Sequence, residues 1–381
     1  MPTKVIFGRE AELQAGEQAA LCGKRALVIY GSSRVKESGL LERVEASLAA
    51  AGLSYIELSG VQSNPLMGLA REGIELCRRE RADLLLAVGG GSVIDTAKTI
   101  AMGVPYTGDV WDFFMGRAQV AAALPLGVVL TVPATASETN RITVMTNEDG
   151  GLKRSAGSPL LYPVFSLLNP ELSFTLPPYQ TAVTSIDIMA HTFERYFDHG
   201  IESDLLDGIK EALLKAVMKN APLALTEPEN YEARSELMWA ASVSHNEMTG
   251  IGGDYGSHKL GHELSAGYGL AHGHSLAIAM VAWSKYVMDE DVGRFARFAR
   301  QVWDVDPAGK TERQTAEEGI ARLDAFCRSL GVPTTMHESG IPSDGIEAMA
   351  DKMLYNSPGW VCGNFRKLYK EDIMAIYELA K

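Results

Sequence analysis

The stretch Asp83-Leu-Leu-Leu-Ala-Val-Gly-Gly-Gly-Ser-Val-Ile-Asp-Thr-Ala-Lys-Thr-Ile-Ala-Met102 decides the reading of the fold. Asp83–Val88 is an apolar run too short for a helix and closed by glycine, the pattern of a strand buried on both faces. Gly89-Gly90-Gly91-Ser92 then opens Val93–Met102, whose apolar spacing is that of a helix. The unit recurs on either side. Arg25–Tyr30 reads as a buried strand, followed by Gly31-Ser32-Ser33 and a helix from about Lys36 to Ala51. A half-exposed strand near Tyr55–Leu58 precedes a helix around Leu66–Arg79, and Leu126–Thr131 is a further buried strand. Strands and helices alternating in this way imply a parallel sheet covered on both faces. Beyond it, Asn147-Glu-Asp-Gly-Gly151 has the composition of a hairpin turn, and Val164–Leu168 is an apolar run ending at Asn169-Pro170.

After Leu176-Pro177-Pro178 the strand signals nearly vanish. Helical patterns cover about Thr181–Tyr196, Ser203–Asn220, Glu229–Met248, Ser275–Val287, Val292–Trp303, Thr311–Leu330 and Ile346–Leu354, with a last helix from Glu371 onward. The expectation is an α/β domain over 1–178 followed by an all-α domain over 179–381. The 381 residues, 46% hydrophobic and 22% charged, suit a globular protein of two domains. A net charge of −13 argues against binding a nucleic-acid backbone. No segment approaches the roughly 18 apolar residues of a membrane span, and residues 1–12 have no apolar core of a signal peptide. Cys22, Cys77, Cys327 and Cys362 form no CxxC pair and read as reduced, buried thiols. A cytoplasmic protein is expected.

The glycine turns are candidate phosphate sites. Gly89–Ser92 leaves the backbone open to close approach, and the free N–H groups of the following helix attract anions. It is not the GxGxxG fingerprint, and a tight turn without a ligand has the same composition. Gly31, Ser32, Ser33 and Lys36, with Arg34, stand at a strand end where NAD-binding proteins often place a carboxylate. Hydroxyls and cations there suit a 2′-phosphate, so NADP(H) is expected over NAD(H). Thr131-Val-Pro-Ala-Thr135-Ala-Ser137 follows the third buried strand at the same end of the sheet.

Histidines carry the sharper signal. Of eight, four fall within His258–His274: His258-Lys-Leu-Gly-His262, then His272-Gly-His274. Asp187-Ile-Met-Ala-His191 sets a carboxylate and an imidazole one helical turn apart on one face, so both can meet a single ion. His199, His245 and His337 read as ordinary core or surface residues. One carboxylate with imidazoles and no cysteine suits Fe(II), Zn(II), Mn(II) or Co(II). Spacing leaves open which of His258, His262, His272 and His274 ligate.

These segments resemble the iron-containing (group III) alcohol dehydrogenases, and most closely their NADPH-dependent butanol dehydrogenase branch. The matching pieces are Gly89–Lys98, Pro133-Ala-Thr-Ala-Ser-Glu-Thr139, Leu176-Pro-Pro178, Asp187-x3-His191, and His258-x2-Gly-His-Glu-Leu-Ser265 through His272-Gly273. The resemblance implies a Rossmann-like N-terminal domain, a helical metal-binding C-terminal domain, and an active site in the cleft between them. It implies a metal, Fe(II) or Zn(II), held by Asp187, His191, His258 and His272, with His262 handling the proton. It places Asn64, Gly90, Gly91, Ser92, Asp95, Thr131, Thr135, Ser137 and Lys153 at the cofactor. The implied activity is hydride transfer between NADP(H) and a small alcohol or aldehyde, in a homodimer. His274 departs from the family pattern and is a candidate proton relay, supporting partner or competing ligand. Trp111, Phe113, Phe114 and Met248 suggest an apolar substrate or simply core. An NAD-dependent zinc polyol dehydrogenase resembles a site with one histidine fewer. A dehydroquinate-synthase-like lyase needs more cations near the metal than Lys259 and Arg195. A metal-stapled helical domain without turnover is the non-catalytic alternative.

Overall fold

Strands that are apolar at every position are satisfied only inside a sheet covered on both sides, and that is where the computed structural model puts them. It describes residues 2–200, 202–355, 357–361 and 363–381; the Cys362 reading lies outside the described residues. Two units emerge, Met1–Thr175 and Leu176–Lys381, where the composition placed a boundary at Pro178.

The first unit carries strands β1 (Lys4–Phe7), β2 (Arg25–Tyr30), β3 (Ser54–Leu58), β4 (Leu84–Gly90), β5 (Leu126–Val132), β6 (Ile142–Asn147), β7 (Leu152–Gly157) and β8 (Phe165–Leu168). Six form one parallel sheet in the order β1-β8-β5-β4-β2-β3, and β6 pairs antiparallel with β7 across the predicted hairpin turn. The inner strands β2, β4, β5 and β8 are buried almost throughout, whereas the edge strands β1 and β3 are half-exposed. β1 is short and lacks a continuous apolar run, so it has no sequence signature. The helices are α1 (Ala15–Ala20), α2 (Arg34–Glu37), α3 (Leu40–Ala50), α4 (Met67–Glu80), α5 (Gly91–Gly103) and α6 (Trp111–Phe114). The helix expected over Lys36–Ala51 is broken at Gly39, whose positive φ of 69° no continuing helix adopts. From β2 the chain adds β3 on one side and then crosses to place β4 on the other. The order therefore reverses between β2 and β4, where open α/β sheets bind ligands beyond their strand C-termini.

The second unit is helical: α7 (Pro178–Tyr196), α8 (Asp204–Thr226), α9 (Tyr231–Ser244), α10 (Gly256–Tyr268), α11 (His272–Val287), α12 (Val292–Trp303), α13 (Glu312–Ser329), α14 (Ile346–Leu354) and α15 (Lys370–Leu379). Pro178 does not precede α7 but occupies its first turn, where a missing N–H costs nothing. Ser203, Asn230 and Asp291 cap α8, α9 and α12, and Thr311 with Gln314 forms a capping box on α13. α7 and α11 are buried around most of their surface and pack through Phe193, Tyr196, Phe197 and Trp283 against Phe295 and Phe298 of α12. This rigid core sets the positions of the histidines. No helix among the described residues is long and apolar enough to cross a membrane.

Candidate active site

Helix α7 carries Asp187 and His191 one turn apart, α10 carries His258 and His262, and α11 begins at His272. Gly269, in the left-handed region at φ 69°, ends α10 and turns the chain back. Gly273 lets α11 approach α7 closely, because a Cβ there would lie 1.8 Å from the Val183 carbonyl oxygen. The result is convergence. Ligand atoms of Asp187, His191 and His258 all lie within 4.8 Å of one another. His258 Nε2 is 4.0 Å and His272 Nε2 is 3.9 Å from Asp187 Oδ1. The rings of His258 and His272 are 5.2 Å apart.

The protonation pattern favours metal binding. His191 Nδ1 lies 2.9 Å from the Asp187 carbonyl oxygen, which fits an Nδ1–H donor and leaves Nε2 its lone pair. Burial, then the neighbouring His258 and Arg195, hold the His191 imidazole well below its usual pKa, so it is neutral. His258 Nε2 is buried without a hydrogen-bond partner among the described residues. A buried nitrogen lone pair beside a buried carboxylate is costly without a cation between them. One anionic oxygen, several imidazoles and no thiolate fit a divalent transition metal. His272 is the most open of the four, its side chain 21% exposed against 5–9% for the others.

His262 packs its ring 5.3 Å from that of His272. His274 points elsewhere: its Nδ1 lies 2.9 Å from the Tyr179 hydroxyl and its Nε2 2.9 Å from the Ser339 hydroxyl. With both nitrogens engaged it ties α11 to the start of α7, which accounts for the extra histidine without a place in the donor set. Two neighbours escaped the sequence reading. His245 packs against His191 with centroids 4.6 Å apart and the ring planes tilted by 54°; standing alone after α9, it had no partner spacing to betray it. Glu194 lies one turn beyond His191 on the same face of α7, and its Oε2 is 2.6 Å from His258 Nδ1. Its signal was present in the Asp187–His191 periodicity.

In the first unit the predicted cofactor residues divide into two groups. Gly31 and Gly90–Ser92 flank the β2/β4 reversal, and Thr131 and Thr135 follow along β5 and its loop. A Cβ on Gly91 would sit 2.5 Å from Thr135 Oγ1, and one on Gly90 would sit 2.7 Å from Val132, so the cradle admits only glycine. Thr135 Oγ1 is itself buried without a hydrogen-bond partner among the described residues. At a helix N-terminus this arrangement suits a pyrophosphate. Lys153 donates to Asn64 Oδ1 at 2.9 Å, bringing two residues of the expected set into contact from distant parts of the chain.

Asp95 and Ser137 face inward instead. Ser137 Oγ donates to Asp95 Oδ1 at 2.6 Å, and the Val144 N–H donates to Asp95 Oδ2 at 3.0 Å. Lys98, fully buried, meets Ser137 Oγ at 3.0 Å and Asn140 O, Asn140 Oδ1 and Ile142 O at 2.9 Å each. Burial pushes its pKa down to about 8, opposed by Asp95. These hydrogen bonds tie together the segments that carry Gly91 and Thr135. Lys36 also departs from expectation. It pairs with Glu57 at 3.0 Å, Tyr30 Oη donates to the same Glu57 oxygen at 2.6 Å, and Ser33 Oγ donates to Glu37 at 2.6 Å. Carboxylates therefore do stand near the end of β2, supplied by β3 and α2. Trp111, Phe113 and Phe114 are buried within this unit, while Met248 is half-exposed in the other.

Comparison with known proteins covers nearly the whole chain. The sequence profile described as "Iron-containing alcohol dehydrogenase" matches residues 2–170, and "Fe-containing alcohol dehydrogenase family, C-terminal" matches 181–381. A probable NADH-dependent butanol dehydrogenase of Bacillus subtilis is 41% identical over 98% of this chain and 97% of its own. The NADPH-dependent aldehyde reductase of Escherichia coli is 35% identical over 92% of this chain and 91% of its own. The crystal structure of NADH-dependent butanol dehydrogenase A from Thermotoga maritima superposes with a TM-score of 0.95 at 34% identity, covering 100% of this chain and 97% of that one.

Proposed function

We propose, since this chain belongs to the iron-containing alcohol dehydrogenase family, that it interconverts small alcohols and aldehydes with NADP(H), using a divalent metal, and works as a homodimer. The observation that carries this reading is the meeting of Asp187 with His191, His258 and His272 around a buried, unpartnered His258 Nε2. A dication bound there supplies Lewis-acid polarisation of the substrate oxygen, and a nicotinamide supplies or accepts the hydride.

The chain's own residues do the rest. Asp187 brings the negative charge, and His191, neutral by burial, donates a lone pair rather than a proton. The greater exposure of His272 leaves that side open to the substrate. His262, against His272, holds or passes on the alcohol proton. His274 braces α11 through Tyr179 and Ser339 and stands outside the proton path. Gly90, Gly91 and Thr135 hold the cofactor pyrophosphate, with Asn64 and Lys153 beside the adenosine half. Ser32, Ser33 and Lys36 favour a 2′-phosphate, and the pairing of Lys36 with Glu57 makes that preference modest. The names of the relatives support either cofactor.

The test is a spectrophotometric panel of aldehydes and alcohols with both reduced and both oxidised nicotinamides, Fe(II) or Zn(II) being added anaerobically. Metal-dependent NADPH oxidation by short aldehydes is expected. Full turnover after chelation refutes the reading. Bound metal with no nicotinamide consumption selects the metal-stapled, non-catalytic domain. Light scattering checks the dimer.

A further inference from the structure

We infer that Asn140 is a positioning residue, clamped by the buried Lys98, which sets the loop after β5 so that Thr135 meets a cofactor phosphate opposite Gly91. The inference deepens the cofactor reading above and rests on it. Asn140 is 6% exposed. Its Oδ1 accepts from the Lys98 ammonium and from the Ile142 N–H, at 2.9 Å each. Both partners can only donate, so the amide oxygen must face them and the amide nitrogen is turned the other way. There Nδ2 donates to the Thr135 carbonyl at 3.1 Å. A buried lysine on α5 thus fixes one side chain of the loop. That side chain in turn fixes the residue whose Oγ1 is buried without a partner among the described residues.

The loop needs such a tie. Ala136, next to Thr135, lies in the left-handed region at φ 53°, which a residue with a Cβ keeps only when its surroundings hold it there. The Thr139 N–H closes the turn by donating to Ala136 O at 2.9 Å, and the Asn140 side chain reaches back across it to Thr135. Removing that side chain does not strand Lys98. Its ammonium has three N–H groups and keeps three acceptors, Ser137 Oγ, Asn140 O and Ile142 O. Loss of the clamp therefore releases Thr135 and leaves the buried lysine satisfied.

The experiment is a double-mutant cycle on Thr135→Val and Asn140→Ala in the full chain, with circular dichroism as the control for folding. The readout is NADPH affinity by isothermal titration calorimetry (NADH, if the wild type binds that more tightly). Each single variant should bind about fivefold more weakly, the worth of one hydrogen bond. The double variant should also be about fivefold weaker rather than about 25-fold, because a displaced Thr135 has no contact left to lose. Additive losses overturn the inference, as does an Asn140→Ala variant that binds like wild type. Should Asn140→Ala not fold, Asn140→Asp takes its place: its carboxylate keeps the Lys98 and Ile142 donors and offers none to Thr135. Adding Thr135→Val to that variant should cost nothing more, and a further loss of about fivefold overturns the inference. A wild type that binds neither nicotinamide, or a Thr135→Val variant with unchanged affinity, refutes the cofactor reading itself, whereas additivity leaves that reading intact.

Discussion

Replacing Asp187 with Asn removes one charge and almost no volume, which isolates what the carboxylate does. The other three members of the site are imidazoles, so Asp187 supplies the negative charge opposing a dication, and it does so 3% exposed, where water screens little. Breaking a buried charge pair costs about 3–5 kcal/mol. Taking the lower figure, Zn(II) or Fe(II) should bind about 150-fold more weakly. Metal at 100 times its dissociation constant stabilises the wild-type fold by about 2.7 kcal/mol, and the same concentration should give the variant only about 0.3 kcal/mol. For a unit of this size, Leu176–Lys381, 1 kcal/mol moves Tm by about 2–4 °C. Differential scanning calorimetry with and without metal should therefore show a rise of about 5–11 °C in the wild type and about 1 °C in Asp187→Asn. The metal-free variant should be no less stable than the metal-free wild type, because a buried charge has been removed. A full metal-dependent rise in Asp187→Asn would refute the assignment of Asp187 as a ligand.

Three further outcomes are expected. Thr135→Val should leave metal-free, cofactor-free stability within about 0.5 kcal/mol, since its hydroxyl has no partner among the described residues. Calorimetric titration should then show cofactor binding weakened by about 1 kcal/mol; unchanged binding excludes Thr135 from the pyrophosphate site. Glu57→Gln frees a half-exposed Lys36 and should raise the NADPH-over-NADH ratio of kcat/KM by about two- to fivefold, the range of an exposed ion pair; a lower ratio contradicts the placement of a 2′-phosphate there. Burial pushes Asp254 up to about 7, against an ordinary value of 3.8, so the native state binds its proton more tightly than the unfolded chain. Its contribution to stability is thus present below about pH 4 and is lost as pH rises to about 7, by at most ~4 kcal/mol. Urea unfolding at pH 5 and pH 8 should show a larger loss for wild type than for Asp254→Asn, and equal losses would argue that Asp254 is ionised in the native state.

Much of the architecture was legible because its signals are local. Unbroken apolar runs such as Leu84–Val88, short and closed by glycine, read as inner strands of a covered sheet, and Asp187 with His191 share a helical face by arithmetic. Signals weakened where structure depends on neighbours. β1 forms because β8 offers an edge, not because Lys4–Phe7 demands a strand. Asp95 and Ser137 stood in recognisable motifs, but that Ser137 donates to Asp95 and accepts from the buried Lys98 follows only from the folded loops. No spacing rule pairs Lys36 with Glu57, which share an environment only because β3 lies beside β2.

By itself the sequence determined the two-part plan, the glycine cradle and the residue types able to hold a metal, since periodicity and composition encode these directly. Which histidines converge was decided by tertiary structure. The turn at Gly269 and the close approach of α11 to α7 at Gly273 bring His272 to Asp187. The same packing sends His274, two residues on, toward Tyr179 and Ser339. Neighbours in sequence thus part company on a helix about 100° per residue, and only the partner helices determine which direction leads to the metal.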